Sequence, residues 1–191
     1  MLGDLWSFQG RYRTLHLTWI AFFLTFVVWF NLAPLATTVK ADLGLTVGQI
    51  RTVAICNVAL TIPARVLIGM LLDKFGPRIT YSSILVFSAI PCLLFASAQD
   101  FNQLVVARLL LSIVGAGFVI GIRMVAEWFP PKEIGLAEGI YGGWGNFGSA
   151  FSALTMVALA GFLSFSGGFE LPTGAVLNWR GAIALTGIVS A

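Results

Sequence analysis

Residues 52–72 read TVAICNVALTIPARVLIGMLL, an apolar run that is broken by a single charge, Arg65. A run of about 20 apolar residues is long enough to cross the hydrocarbon of a bilayer as a helix. A guanidinium at the middle of a membrane costs at least ~2.5–3.5 kcal/mol on insertion scales, and it cannot be neutralised by losing its proton. Arg65 must therefore face a wet cavity, a counter-charge or an anion, and we interpret it as an anion ligand.

The composition of the whole chain is that of a membrane protein. Its 191 residues are 58% hydrophobic and 10% charged, and the mean hydropathy is +0.93, whereas soluble domains carry about 25% charged residues. The eleven basic residues are scattered singly, which argues against a nucleic-acid partner. The sequence has no metal-ligand cluster, phosphate loop or nucleophile beside a base, so we expect no enzyme activity, cofactor or metal.

The positions of the charges predict five complete membrane helices and the start of a sixth. The helices are expected at about 14–39, 48–72, 79–99, 101–127 and 137–165, and the sixth, at 181–191, is too short to cross and is expected to be truncated. With the N-terminus inside, short inner segments hold six basic residues and outer ones three. The positive-inside rule therefore predicts that residues 1–13 are cytoplasmic.

The segment Gly69–Arg78, GMLLDKFGPR, carries the first family signal. It resembles the loop between the second and third helices of the major facilitator superfamily. Gly69 lets a neighbouring helix approach, Asp73 can bind a cation or a helix N-terminus, and Gly76 forms a turn with the proline that follows it. The resemblance makes Gly69, Asp73, Gly76 and Arg78 candidate gating residues. A generic charged turn is the alternative, and it does not account for the glycines.

The fourth predicted helix resembles the same superfamily more weakly. Residues 108–117, RLLLSIVGAG, place Arg108, Ser112 and Gly115 on one helix face. Arg108 lies about 10 Å from the outer end, where snorkelling or pairing competes with a substrate role. We count Gly115 among the candidate substrate residues, and Arg108 and Asn57 as candidates of second rank.

The start of the fifth helix narrows the family. Residues 139–148, GIYGGWGNFG, hold five glycines in ten positions and resemble the nitrate signature of the nitrate/nitrite porter family. The resemblance implies that Gly142, Gly143, Gly145 and Asn146 contact substrate. A packing role is the alternative, because Gly139 and Gly143 form a G-x-x-x-G pair on one face.

The resemblance runs from about residue 17 to the end of the chain, and it implies both fold and function. The fold would be an all-α membrane protein, the N-terminal six-helix half of a major facilitator, with its last helix truncated. The protein would be a secondary active transporter of nitrate or nitrite in a bacterial plasma membrane, working by alternating access with a missing C-terminal half. The alternatives are a facilitator for another small solute and a non-transporting fragment or assembly partner.

A depth argument brings the candidate ligands together. Arg65, Asn146 and Phe118 lie eight or nine residues from charges that belong on the cytoplasmic side, so each is ~12–14 Å from that boundary and close to the midplane. Phe26 is somewhat deeper. A planar guanidinium can meet two oxygens of nitrate and an amide the third, while rings above and below exclude water and tetrahedral anions. Phe26 and Phe118 are the expected rings.

Overall fold

The computed structural model describes residues 7–172, 174 and 176–191, and nearly all of them are helical. The described helices are α1 (Gly10–Phe30), α2 (Ala36–Asp42), α3 (Val47–Ala59), α4 (Thr61–Ser97), α5 (Phe101–Ser112), α6 (Gly117–Trp128), α7 (Pro131–Phe162) and α8 (Trp179–Ser190). Short 3-10 turns cover Ala33–Leu35, Ile113–Ala116 and Leu163–Ser166. Residues 1–6 of the predicted cytoplasmic segment lie outside the described residues.

Four helical stretches are long and apolar enough to cross a membrane: Gly10–Asp42, Val47–Ser97, Phe101–Trp128 and Pro131–Ser166. The second is 51 residues long, enough for two crossings of a ~30 Å hydrocarbon core. Its α4 contains non-helical backbone at Gly76 (φ 77°, ψ 166°), a left-handed φ that favours glycine. The predicted class, an all-α membrane protein, is therefore confirmed.

Several element bounds differ from those expected. The predicted fifth helix starts at Pro131 rather than about residue 137, because the proline occupies the first helical position, where its missing N–H costs nothing. The predicted second helix is interrupted at Leu60, between α3 and α4. The loop before α8 contains an unpredicted two-stranded hairpin, β1 (Phe169–Glu170) paired antiparallel with β2 (Val176–Leu177).

Small residues set the closest helix contacts. The most extensive contact between two helices joins α1 to α7. A Cβ added at Gly148 on α7 would lie 2.4 Å from the backbone oxygen of Phe23 on α1. A Cβ at Gly187 on α8 would lie 2.5 Å from the Cβ of Cys92, in the part of α4 that follows Gly76. Because lipid tails are as apolar as the side chains, such close approach, rather than hydrophobic collapse, holds membrane helices together.

Candidate functional site

Arg65 lies in the part of α4 that precedes Gly76, and its side chain is exposed. Two residues near it on the same helix are also open, Ile62 at 77% and Val66 at 66% exposure. Within the described part of the chain, no carboxylate forms an ion pair with Arg65. A guanidinium cannot face lipid at this depth without compensation, so this helix face must look onto a polar space or a further protein surface.

Asn146 is exposed on α7, and part of its amide is already used. Its Nδ2 donates to the backbone oxygen of Gly142 at 2.7 Å, one turn earlier. An asparagine amide carries two N–H donors and one oxygen acceptor, so one N–H stays available for an anion. No hydrogen bond links Asn146 to Arg65 among the described residues.

The glycines of α7 divide into two sets, one open and one packed against α1. A Cβ at Gly139, Gly142 or Gly143 would meet nothing within 4 Å, so none of the three contacts another helix among the described residues. A Cβ at Gly145 would lie 1.7 Å from the ring of Phe22. Gly145, predicted to contact substrate, packs against α1 in this structure, and its substrate contact stays a prediction.

Phe26 and Phe118 belong to one aromatic cluster that also contains Phe22 and Tyr141. The fully buried Phe22 ring lies 4.4 Å from the centroid of Phe26 and 5.4 Å from that of Phe118. The Tyr141 hydroxyl donates to the backbone oxygen of Phe118 at 3.0 Å. Phe26 and Phe118 are both half-buried, and Phe22 contacts both rings. Phe22 and Tyr141 were missed from the sequence, although the four-residue spacing of Phe22 and Phe26 puts them on one helix face.

Gly115, predicted to contact substrate, has a packing role in the structure. A Cβ there would lie 2.7 Å from the indole of Trp29. The Trp29 indole N–H donates to the backbone oxygen of Asn57 at 2.7 Å, and the Asn57 amide donates back to the Trp29 oxygen at 2.9 Å. Gly115 therefore makes room for a tryptophan that joins α1 to α3.

Arg108 and Asn57, the second-rank candidates, are bound to each other. Arg108 is 0% exposed, so it cannot touch a substrate in an open cavity, and it does not snorkel to the interface. Its Nη1 donates to Asn57 Oδ1 at 3.2 Å and its Nη2 to Asn31 Oδ1 at 2.9 Å. Asn31, which the sequence reasoning overlooked, is a polar residue inside the first apolar run, and that position is the signal that could have identified it.

The predicted gating loop meets the other helices through Asp73. Asp73 forms an ion pair with Arg123 of α6, and Arg123 also binds Glu127 at 2.8 Å. At the same end of the bundle, Arg11 of α1 pairs with Glu133 of α7 at 2.9 Å. The cation expected for Asp73 is thus Arg123, which the sequence analysis had used only in counting charges.

The other loop residues contribute differently. Gly76 makes the turn, and Arg78 lies with Arg13 along a cavity of about 880 Å³ between α1 and α4. A Cβ at Gly69 would meet nothing within 4 Å, so any helix that approaches Gly69 is not among the described residues.

At the opposite end of the bundle, Asp42 is held by α8. The Trp179 indole N–H donates to Asp42 Oδ2 at 2.8 Å, and Arg180 lies 3.5 Å from the same oxygen. Each end of the described bundle is therefore bridged by ion pairs between helices, while the faces that carry Arg65 and Asn146 stay open.

Comparison with known proteins places this geometry in a family. The family model that matches is the Major Facilitator Superfamily, over residues 18–191. A bacterial homologue of the human lysosomal transporter Spinster, in an inward-facing and occupied conformation, superposes with a TM-score of 0.74. At 20% identity, over 94% of this chain and 42% of that one, this likeness shows the fold alone.

Three relatives share more of the sequence. The nitrate/nitrite transporters NrtP of a Picosynechococcus species and of Nostoc punctiforme are 63% and 62% identical over 100% of this chain, which covers 38% and 37% of their lengths. The high affinity nitrate transporter 2.7 of Arabidopsis thaliana is 33% identical over 75% of the chain and 29% of its own length. The chain thus spans well under half of each relative.

Proposed function

Since the chain belongs to the major facilitator superfamily, we propose that it forms the N-terminal part of a transporter that carries nitrate or nitrite across a membrane. The observation that carries the proposal is Arg65, an exposed guanidinium in an apolar helix with no carboxylate paired to it among the described residues. The relatives named for nitrate and nitrite support the choice of anion.

In the proposed site, Arg65 binds the anion and α7 supplies a second wall. The guanidinium fork presents two parallel N–H donors, which match two oxygens of a flat monovalent anion. The free N–H of Asn146 donates to the remaining oxygen. Gly142 and Gly143 have open space where a side chain would be, so the anion can approach the backbone of α7 closely. Phe26 and Phe118, supported by Phe22, form the apolar lining on one side of the slot.

Transport by alternating access requires that the two ends of the bundle open in turn. We assign the end that holds Asp73 and Arg123 to the cytoplasm and the end that holds Asp42 and Arg180 to the outside. The Asp73–Arg123 pair at the cytoplasmic end is exposed, with side-chain exposures of 69% for Asp73 and 45% for Arg123, so it is weak. A weak pair suits a gate that must break in every cycle. The C-terminal half of the transporter would supply the rest of the site.

Uptake and binding by the full-length protein test the proposal. Labelled nitrate uptake should appear in a host strain that lacks its own nitrate carriers, and unlabelled nitrite should compete while sulfate and phosphate should not. Sulfate and phosphate are tetrahedral and do not fit a flat slot. Uptake that sulfate or a neutral solute inhibits as well as nitrate does would favour the second candidate, a facilitator for another substrate.

Asn146→Ala should weaken nitrate binding without destabilising the bundle. The change removes one donor to an ion, worth ~1–3 kcal/mol, and it adds no bulk to α7. Nitrate affinity and melting temperature of the purified full-length variant are the measurements. Thr155→Ala is the matched control, because its hydroxyl makes the same kind of bond one turn back on α7, to Phe151 O at 2.7 Å. Unchanged nitrate affinity in Asn146→Ala would remove this residue from the site.

Asp73→Asn should slow turnover and leave equilibrium nitrate affinity nearly unchanged. The variant keeps an oxygen for Arg123 but loses the charge that ties the loop to α6, so the balance between inward-facing and outward-facing states shifts. Turnover in reconstituted vesicles and nitrate affinity in detergent should be compared. Lys74→Gln alters one charge in the same loop and serves as the control. A large loss of affinity at normal turnover would identify Asp73 as a direct ligand instead of a gate.

A further inference from the structure

Arg108 is a buried charge whose hydrogen-bond partners are neutral. Its guanidinium donates to the amide oxygens of Asn57 and Asn31, and its central carbon lies 4.3 Å from the ring centroid of Phe95. In the part of the chain that the structure describes, no carboxylate pairs with it. Arginine does not lose its proton in proteins, so a full positive charge stays inside the bundle.

The choice of amides over carboxylates is the informative feature. Buried charges are normally paired with an opposite charge, because desolvation is expensive. Asparagine and aspartate have nearly the same shape, so aspartate at position 31 or 57 would present the same oxygen to the guanidinium and cancel its charge, while giving up the N–H that Asn31 donates to Thr186 and that Asn57 donates to the Trp29 backbone oxygen. Since Arg108 is 0% exposed, a segment outside the described residues could reach it only by displacing one of them. The bundle thus holds Arg108 firmly and leaves its charge uncancelled.

The charge of Arg108 lies close enough to the proposed anion site to act on it electrostatically without contact. Asn57, its partner, precedes Arg65 by eight residues along α3 and α4, which corresponds to ~12 Å of helix. Arg108 is fully buried beside Asn57, so it cannot touch an anion bound to the exposed Arg65. A unit charge ~12 Å away in a medium of effective dielectric constant ~20 nevertheless changes the affinity for a monovalent anion by about tenfold.

We propose that Arg108 determines anion affinity from a distance, as an uncompensated positive charge that Asn31 and Asn57 fix in place inside the bundle. The proposal rests on the proposed function, that of an anion transporter. In this arrangement Arg65 recognises the shape of the anion, while Arg108 raises the affinity for any monovalent anion and disfavours cations.

The test is Asn57→Asp in the full-length protein, compared with Asn57→Ser. The aspartate variant keeps an oxygen on Arg108 and cancels its charge, since a carboxyl beside an arginine stays ionised. The serine variant removes the amide and cancels no charge. We expect nitrate affinity, measured by calorimetry at low salt on folded protein, to fall about tenfold in the aspartate variant and by less than about threefold in the serine variant. Both variants lose the N–H that Asn57 donates to the Trp29 backbone oxygen, so the difference between them reports the charge.

Asn31→Asp repeats the test through the other amide, so the proposal stays testable if the first variant does not fold. Wild-type nitrate affinity in a folded aspartate variant would overturn the proposal. An equal loss in the serine and aspartate variants would also overturn it, because Arg108 would then act only by holding α1, α3 and α5 together. A wild-type protein that binds no nitrate would contradict the proposed function itself, and this inference with it.

Discussion

Arg65→Lys is expected to lower nitrate uptake by the full-length protein by ~10- to 100-fold while leaving its insertion in the membrane intact. The variant keeps the positive charge and loses the planar fork, so one charge-assisted hydrogen bond to the anion, worth ~1.5–3 kcal/mol, has no donor. Uptake of labelled nitrate at equal expression and nitrate affinity of the purified protein are the measurements. The loss should appear in affinity as well as in uptake, because Arg65 is assigned to the anion itself.

Arg51→Lys provides the control, because Arg51 is also exposed and lies on α3, outside the apolar run. The same chemical change there should leave uptake near the wild-type rate. If the Arg65→Lys protein transports nitrate with near-normal affinity, Arg65 acts as a point charge and does not donate hydrogen bonds to two oxygens of the anion. In that case a flat anion would have no special advantage, and sulfate should compete with nitrate.

The class of the fold, an all-α membrane protein, was predictable because the bilayer imposes a simple rule on sequence. Charged residues stay out of about 20 consecutive positions, so the gaps between charges locate the crossings. The turn at Gly76 was equally readable, since a glycine before a proline favours a reversal of the chain and the structure gives that glycine a left-handed φ. Such signals are local, and a single sequence contains them.

The partners of the buried polar residues could not be predicted in the same way. Arg108 is visible as a charge in an apolar helix, but Asn57 and Asn31 lie 51 and 77 residues away from it in the chain. Only the packing of α1, α3 and α5 brings them together. The sequence therefore indicated that Arg108 needs compensation, and it left open whether that comes from the interface, a counter-charge, a substrate or, as the structure has it, two amides.

The glycines of α7 show a related limit. Their four-residue spacing in the sequence suggests Gly139 and Gly143 as a packing pair, the alternative to a substrate role. Helical periodicity tells which residues share a face, but not which face meets a neighbour. In the structure the face of Gly145 and Gly148 contacts α1, and the face of Gly139, Gly142 and Gly143 stays open.

Gly148→Ala is consequently expected to damage the bundle, with a loss of ~1–3 kcal/mol in stability and of most transport. The added methyl would lie 2.4 Å from the backbone oxygen of Phe23, and a backbone cannot swing aside as a side chain can. Helix α7 must therefore move away from α1. Melting temperature of the purified full-length variant and nitrate uptake at equal expression should both fall. Gly145→Ala should behave alike, because the Phe22 ring beside it is fully buried.

Gly143→Ala makes the same change five residues before Gly148 on the same helix, at a position where a Cβ would meet nothing within 4 Å. Any gain in helix propensity from replacing glycine by alanine, ~1 kcal/mol, is common to both variants, so the difference between them isolates the contact with α1. The melting temperature of Gly143→Ala should hold or rise, and equal melting temperatures for the two variants would contradict the assignment of packing to Gly148. If Gly143 also borders the proposed anion slot, its alanine variant should lose nitrate affinity at full stability, the reverse of the pattern expected at Gly148.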